Sequence, residues 1–543
     1  MAYRWSLGLI ALIFLAFFVS PLIHLVMTGI GDLASRSSVA GGAVAPGLGR
    51  TLKFSALQAF LSSVLSVAAA LPGAYAISHY RFRARRFFQS LSLVPFVLPS
   101  VIVIICMISF YGRSGVLNTI LGTKFNLIYN FSGILLAHLF YNFAIALRIV
   151  GDGWSRISDE YGEVARGLGD TRSRVFFKIT LPLLLPSIAS ALVLVFIYCF
   201  MSFGIVLVFG GVKYATLEVR IYQELFQRLD YARGSVYAVV QLGVSVGFLA
   251  ISSSLAGRQS GRKTSIRRAV PLKHASTPVR VAISLYWVLV AVFVFGPICS
   301  MVYRSFVGPS GMTLAPYRAL FESGAGARNV EGLIRSTIPA VIARSLFMAV
   351  LSGTATFVIA VSAALLLRRR RAPFWRGFYQ MPLGMTVVGL AAGLRLLFGE
   401  IIPPLVLVMI GQFFLAFPMV FRIASTVVGD LHQGLIECAQ SLGARPGYAL
   451  RTVTIPVLRR GLINAYAFAI ALVFADFTIV LGVGRGAIVT FPVAIYRLIG
   501  FRSFDFALAL SGLYILFCLL LFIVIDRTSF SESTDLKSAK VPA

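Results

Sequence analysis

Few residues in this chain of 543 could do chemistry, and their spacing decides which. The nearest approach to a phosphate loop is GRQSGRKT, Gly257 to Thr264. A working loop needs G-x-x-x-x-G-K-[ST], so that backbone N–H groups wrap the phosphate and the lysine reaches it. Here three residues separate the glycines and Arg262 precedes Lys263, so no nucleotide is expected to bind there. No carboxylate pair, HExxH or GxSxG phrase suggests enzymology, so no catalytic residue and no resident cofactor are expected. Cys106, Cys199, Cys299, Cys438 and Cys518 form no CxxC and read as small buried hydrophobes, with no metal site. Two features remain. Asp476 lies inside the apolar run ALVFADFTIVL, where a carboxylate is costly and marks a pathway or a paired site. The polar phrase EVARGLGD, Glu163 to Asp170, returns 274 residues later as ECAQSLGA, Glu437 to Ala444.

The elements that must hold these residues are set by composition. The chain is 58% hydrophobic and 13% charged, with a mean hydropathy of +0.88. Soluble domains are roughly 45–50% apolar and about 25% charged, so the chain reads as an all-α polytopic membrane protein. A membrane helix needs about 20 apolar residues. Twelve spans meet that need: 6–29, 55–78, 91–111, 132–150, 185–210, 234–256, 282–303, 345–367, 379–398, 403–427, 462–484 and 504–526. The opening stretch reads as the first span, because it lacks a clear small-x-small cleavage site. A net charge of +30 does not indicate nucleic acid. The basic residues favour one set of alternate loops, including RFRARR at Arg81 to Arg86 and RRRR at Arg368 to Arg371. This is the positive-inside bias, and with an even span count it puts both termini in the cytoplasm.

The basic stretch 257–280 divides the chain into a first half, 1–256, and a second half, 281–526, followed by a tail, 527–543. At one ungapped offset of 274, Arg148 meets Arg422, Thr180 meets Thr454, Ile205-Val206-Leu207 meets Ile479-Val480-Leu481, and Ile221-Tyr222 meets Ile495-Tyr496. The halves are therefore two parallel six-helix repeats, related by an axis along the membrane normal. At the same offset Ser202 meets Asp476 and Phe203 meets Phe477. These four are candidates for the translocation pathway; the other reading is that Asp476 caps a broken helix or pairs with a basic residue. His138, alone on an apolar helix, reads as a hydrogen-bonded packing residue, and Arg395 can snorkel to an interface.

Each copy of the polar phrase falls in an inner loop, 151–184 or 428–460. SDEYGEVARGL suits a short helix, with Ser158 as cap, Asp159 and Glu160 at the positive end, and a glycine to stop it. The pattern E-x-A-x-x-x-G, with proline thirteen residues on, resembles the loop motif of ABC importer permeases. In that family the loop is a coupling helix that docks on a separate ATP-hydrolysing subunit. The resemblance gives Glu163 and Glu437 a charge contact with that subunit. It gives Ala165 and Ala439 a close approach, and Gly169 and Gly443 the turn that aims the segment. Pro182 and Pro456 complete the motif. Val164 and Cys438 depart from the fuller E-A-A form, and Asp170 stands where Ala444 keeps the commoner small residue.

Fusion of both halves resembles the ferric-iron and thiamine group of these permeases. FSALQAFLSSVLSV, YGRSGVLN, GILLAHLFYN, MSFGIVLVFGG and IYRLIGFRSFDFALAL look closest to the thiamine members. The resemblance implies a multi-pass inner-membrane permease coupling ATP hydrolysis to alternating access. Its partners would be two copies of an ABC ATPase, a periplasmic binding protein and the bilayer. The substrate would be thiamine, with ferric iron as the alternative. The outward segment Gly115 to Asn130 is one of the loops that could receive the binding protein. An ion-driven secondary transporter would use embedded carboxylates or histidines as ion sites and would not need the duplicated phrase. A gated channel would need a repeated filter-like segment, and none is visible.

Overall fold

The computed structural model describes residues 2–37, 47–83, 85, 98–124, 130–211, 213–260, 269–308, 311–321, 325–368, 373–429, 431 and 433–530. The start of the expected 91–111 span, the middle of the 257–280 stretch, most of RRRR and the last thirteen residues lie outside this set.

In chain order, α1 (Ala2–Phe14) passes through a π-turn into α2 (Ser20–Ser37), followed by α3 (Leu48–His79) and strand β1 (Tyr80–Arg81). Then come α4 (Ser100–Tyr111), α5 (Val116–Leu121), α6 (Phe131–Ser155), α7 (Glu160–Gly167), α8 (Arg172–Val175) and α9 (Leu181–Phe200). The first half ends with α10 (Gly204–Phe209), α11 (Leu217–Tyr222) and α12 (Tyr231–Ser260). β2 (Val270–Pro271), α13 (Thr277–Ser305), β3 (Val307–Gly308), β4 (Gly311–Met312), α14 (Ala315–Phe321) and α15 (Ala325–Ile334) follow. The rest is α16 (Ile338–Leu367), α17 (Pro373–Gln380), α18 (Val387–Phe398), α19 (Pro404–Gly429), α20 (Gln433–Ser441), α21 (Pro446–Ala449), α22 (Ile455–Phe474), α23 (Thr478–Val483), α24 (Phe491–Gly500) and α25 (Phe504–Phe530).

A helix lies over each of the twelve expected spans. Among the described residues, nine helices are long and apolar enough to cross a bilayer, or ten with one bent pair counted as a span. Three expected spans are not single rods. The 379–398 span turns by 94° between a segment ending at Gly384 and α18. Pro382 and Gly384 disfavour continuation, and the Thr386 hydroxyl accepts from Gly389 N at 3.2 Å to restart the helix. The 185–210 and 462–484 spans both break, after Phe200 and after Phe474. They also begin earlier than hydropathy suggests, because the membrane helices continue from polar turns at Arg172 and Gly447.

The offset of 274 holds at the level of element ends: α8, α9 and α10 match α21, α22 and α23 at both boundaries. Compactness divides the chain differently. One unit is 35–313; the other joins 1–34 to 314–543. The division expected at 257–280 separates the repeats, but each compact unit takes the first span of the other repeat. In the unit 35–313, α13 packs on α3 and α4: Tyr286 donates to the Ala69 carbonyl at 2.8 Å, and the Ser109 and Ser300 hydroxyls lie 2.9 Å apart. In the other unit, Phe14 of α1 is fully buried among Phe378, Tyr379, Phe413, Phe414 and Phe417, with ring centroids 4.9–6.5 Å away.

Each unit is built on three mutually packed helices, α3, α6 and α9 in one and α16, α19 and α22 in the other. Lipid tails supply no hydrophobic drive between helices, so close approach and hydrogen bonds decide. The buried faces are accordingly small: Ser55, Ala59, Ser62, Ser66, Ala70 and Ala74 on α3, and Ser345, Ala349, Ser352, Thr356, Ala360 and Ala363 on α16. Ser55 and Ser345 on these faces each reach the start of a helix elsewhere in the chain. Ser55 Oγ accepts from Leu217 N at 2.9 Å, and Ser345 Oγ accepts from Phe491 N at 3.0 Å. These bonds serve the first N–H groups of α11 and α24, which have no side-chain cap of their own. Ser55→Ala or Ser345→Ala should therefore cost about 1–3 kcal/mol by orphaning a buried donor. Thermal unfolding in detergent should show a lower midpoint for each; unchanged midpoints would contradict the remote-cap role.

Candidate functional site

The two polar loops fold alike. α7 starts where Ser158 Oγ accepts from Glu160 N at 3.3 Å, as the sequence suggests. It ends in a closed pair of bonds: Gly169 N to Arg166 O and Asp170 N to Ala165 O, both 3.0 Å. α20 ends the same way, with Gly443 N to Gln440 O at 2.9 Å and Ala444 N to Ala439 O at 3.0 Å. This is the Schellman pattern, in which the residue after the helix turns left-handed and satisfies the last carbonyls. The turn residues are Gly169 at φ +91° and Gly443 at φ +85°, a conformation a Cβ makes costly. Ala165 is buried and Ala439 half-buried, whereas Glu163 and Glu437 face solvent.

Leu168 and Leu442 are each 84% exposed, one residue before the turning glycines. Their equivalence was visible in the offset of 274, but nothing in the composition of the loop marked them as bare. An apolar side chain held outward twice, at equivalent positions, fits a protein contact.

Pro182 and Pro456 do not turn the chain. Each sits at the second residue of a helix that continues from the preceding polar turn through a five-residue π segment. Proline lacks the N–H for an i−4 bond and crowds that carbonyl, so the helix widens: Leu181 N bonds Phe176 O, and Ile455 N bonds Leu450 O. The short helices α8 and α21, which follow the loop helices, thus run on into α9 and α22 without a break.

The pathway candidates lie at the far ends of those helices, about 30 Å away for a 20-residue helix. Residues 201–203 and 475–477 interrupt the helices before α10 and α23 resume. Asp476 is buried and caps the resumed helix: Oδ1 accepts from Ile479 N at 3.1 Å, and Oδ2 accepts from Gln412 Nε2 at 3.2 Å. These bonds match the reading in which Asp476 caps a broken helix. Ser202 is only half-buried. Phe203 and Phe477 are buried and pack on Tyr222 and Tyr496, at 5.3 and 5.0 Å between ring centroids. Those tyrosines match at the same offset, yet their partnership needed the three-dimensional break to become visible. His138, which meets Gln412 at that offset, shares a 3.0 Å hydrogen bond between Nδ1 and Ser62 Oγ, so it is a packing residue in a polar cluster. Within each unit the loop and break residues are not brought together; a helix separates them.

A family model described as binding-protein-dependent transport system inner membrane component matches residues 62–266. The thiamine transport system permease protein ThiP of Escherichia coli K12 is 29% identical over 501 residues, 88% of this chain and 89% of its own length. ThiP of Brucella abortus strain 2308 is 29% identical over 503 residues, covering 89% and 88%. A putative ferric transport system permease protein, FbpB 1 of Haemophilus influenzae, is 26% identical over 429 residues, covering 75% and 66%.

Asp476→Ala should remove a cap, worth about 0.5–2 kcal/mol, and orphan Gln412. Asp476→Ser, which copies Ser202, should keep the cap and lose less. Melting midpoints in detergent should fall in that order; a larger loss for serine would contradict the capping role. With two repeats matched in element boundaries, and relatives aligned across both, the chain is an all-α, multi-pass membrane protein similar over nearly its whole length to thiamine transport system permease proteins, with residues 62–266 matching the binding-protein-dependent transport system inner membrane component family.

Proposed function

We propose that the chain is the thiamine-carrying permease of an ABC importer, with ATP hydrolysed by separate subunits and no cofactor held by the chain itself. The observation that carries this is the duplicated loop: two helices with the same cap, an outward glutamate and a bare leucine. A single docking surface would need one copy; two copies suit two ATPase subunits. Glu163 and Glu437 would meet cations on those subunits, Leu168 and Leu442 would fill apolar pockets, and Ala165 and Ala439 would keep each helix compact. The π-widened helices at Pro182 and Pro456 would carry the movement to the breaks at Ser202–Phe203 and Asp476–Phe477, which we assign to the pathway for alternating access. A periplasmic binding protein would deliver the substrate. The positive-inside bias supports cytoplasmic termini, which puts both loops on the side of the ATPase.

Thiamine is supported by the names of relatives that align over nearly the whole chain. It is a cation with flat rings, so aromatic neighbours such as Phe203 and Tyr222 suit it. Ferric iron is the second reading, favoured by the Haemophilus relative.

Charge reversal at both loops, Glu163→Lys with Glu437→Lys, should reduce substrate-stimulated ATPase activity of the reconstituted complex about tenfold or more, since opposed like charges cost several kcal/mol. Full stimulation in that variant would remove the coupling role. Calorimetry on the cognate binding protein decides the cargo: thiamine binding is expected, and binding of ferric iron without thiamine would overturn the assignment.

A further inference from the structure

We propose that Arg368 and Arg376 form a binding site for a phosphate anion, carried by a phospholipid headgroup or free in solution, at the root of the second loop helix. This goes beyond the transport reading, which assigns no ligand there. A cavity of about 240 Å³ lies between the end of α16, α17 and the end of α19. Arg368 and Arg376 line it together with Ser425, and among the described residues no carboxylate does. Among the described residues Arg368 gives one N–H to the Leu431 carbonyl at 2.5 Å, and a guanidinium carries five donors in all. Two guanidinium groups and a hydroxyl around a small cavity match the oxygens of a phosphate, which arginine binds through paired N–H groups.

Two further observations support the site. The first is depth. The segment 374–384, which contains most of α17, is turned 94° from α18, so if α18 enters the bilayer α17 lies along its surface. α17 exposes Phe374 by 72% beside Trp375, as helices do at the headgroup level. Arg376 is the next residue, so the cavity opens where lipid phosphates lie. The second is the contrast between repeats. Val428, on the cavity wall, stands where the offset of 274 puts Trp154. In the unit 35–313 that indole is buried against the rings of Tyr75 and His79, at 5.5 and 5.6 Å. Replacing an indole with valine leaves room, and the room is lined with arginine. Leu431, held by Arg368, is two residues from α20, so the ligand would sit against the chain entering that loop.

The test uses the full chain, purified in detergent and stripped of lipid. Its unfolding midpoint is followed while phosphatidylglycerol in mixed micelles, or inorganic phosphate, is titrated. A ligand that binds only the folded chain raises the midpoint saturably. Because Arg368 also holds backbone, Arg376→Gln is the discriminating variant. It removes charge-assisted bonds and should weaken the apparent affinity about tenfold or more. Arg445→Gln, an exposed arginine of the same unit, serves as the control and should respond as the unaltered chain. A response to phosphatidylglycerol alone assigns the lipid; a response to inorganic phosphate assigns the free anion; either supports the site. No midpoint rise with either probe, or equal responses from the unaltered chain and Arg376→Gln, would overturn it. An equal loss in Arg376→Gln and Arg445→Gln would also overturn it, by showing general charge attraction.

Discussion

A helix that breaks inside an apolar interior leaves backbone N–H and C=O groups with no water to receive them, and each must find a partner within the protein. This chain breaks two spans at equivalent places, and much of its sparse polar inventory serves those breaks. Gln58 donates to the Cys199 carbonyl at 2.9 Å, and Tyr514 donates to the Phe474 carbonyl at 3.1 Å. Asp476 takes the N–H of Ile479, while Ser55 and Ser345 take those of Leu217 and Phe491. Several polar side chains inside the spans thus hold irregular backbone in place. On the proposed pathway reading, a broken helix held in this way would offer polar backbone atoms where a continuous helix would offer only side chains.

The repeats share a backbone plan but differ in side chains. Asp476 and Gln412 pair in one, where Ser202 and His138 stand in the other, and His138 turns to Ser62 instead. Trp154 fills space that Val428 leaves open. The loops differ less, since both end in the same capped turn with a leucine outside it. Equal loops suit identical partners on one side of the membrane, while unequal interiors suit a substrate that has no twofold symmetry.

Much of this was legible in the residues. One offset aligned the loops, the prolines and the element ends from Arg172 to Val483, because a duplication keeps turn and cap residues together. Gly169 and Gly443 were readable as turns because positive φ favours glycine. A break was offered only at Asp476, as one of two readings, and not at Ser202, because hydropathy averages over any single polar residue. It also trims polar helix ends, which hid the start of α9 before Pro182. The exchange of first spans left no local mark, since Phe14 and Tyr286 look like ordinary lipid-facing aromatics until their partners are known. The arginine cavity joins residues more than fifty positions apart, and no periodicity links them.

The central claim is that this polypeptide moves cargo only when external subunits drive its two loops. Uptake into proteoliposomes tests it most directly, with the chain reconstituted alone under a proton or sodium gradient, and with its ATPase, binding protein and ATP. Accumulation of thiamine only in the ATP-supplied complex is the expected result. Gradient-driven accumulation by the chain alone would contradict it.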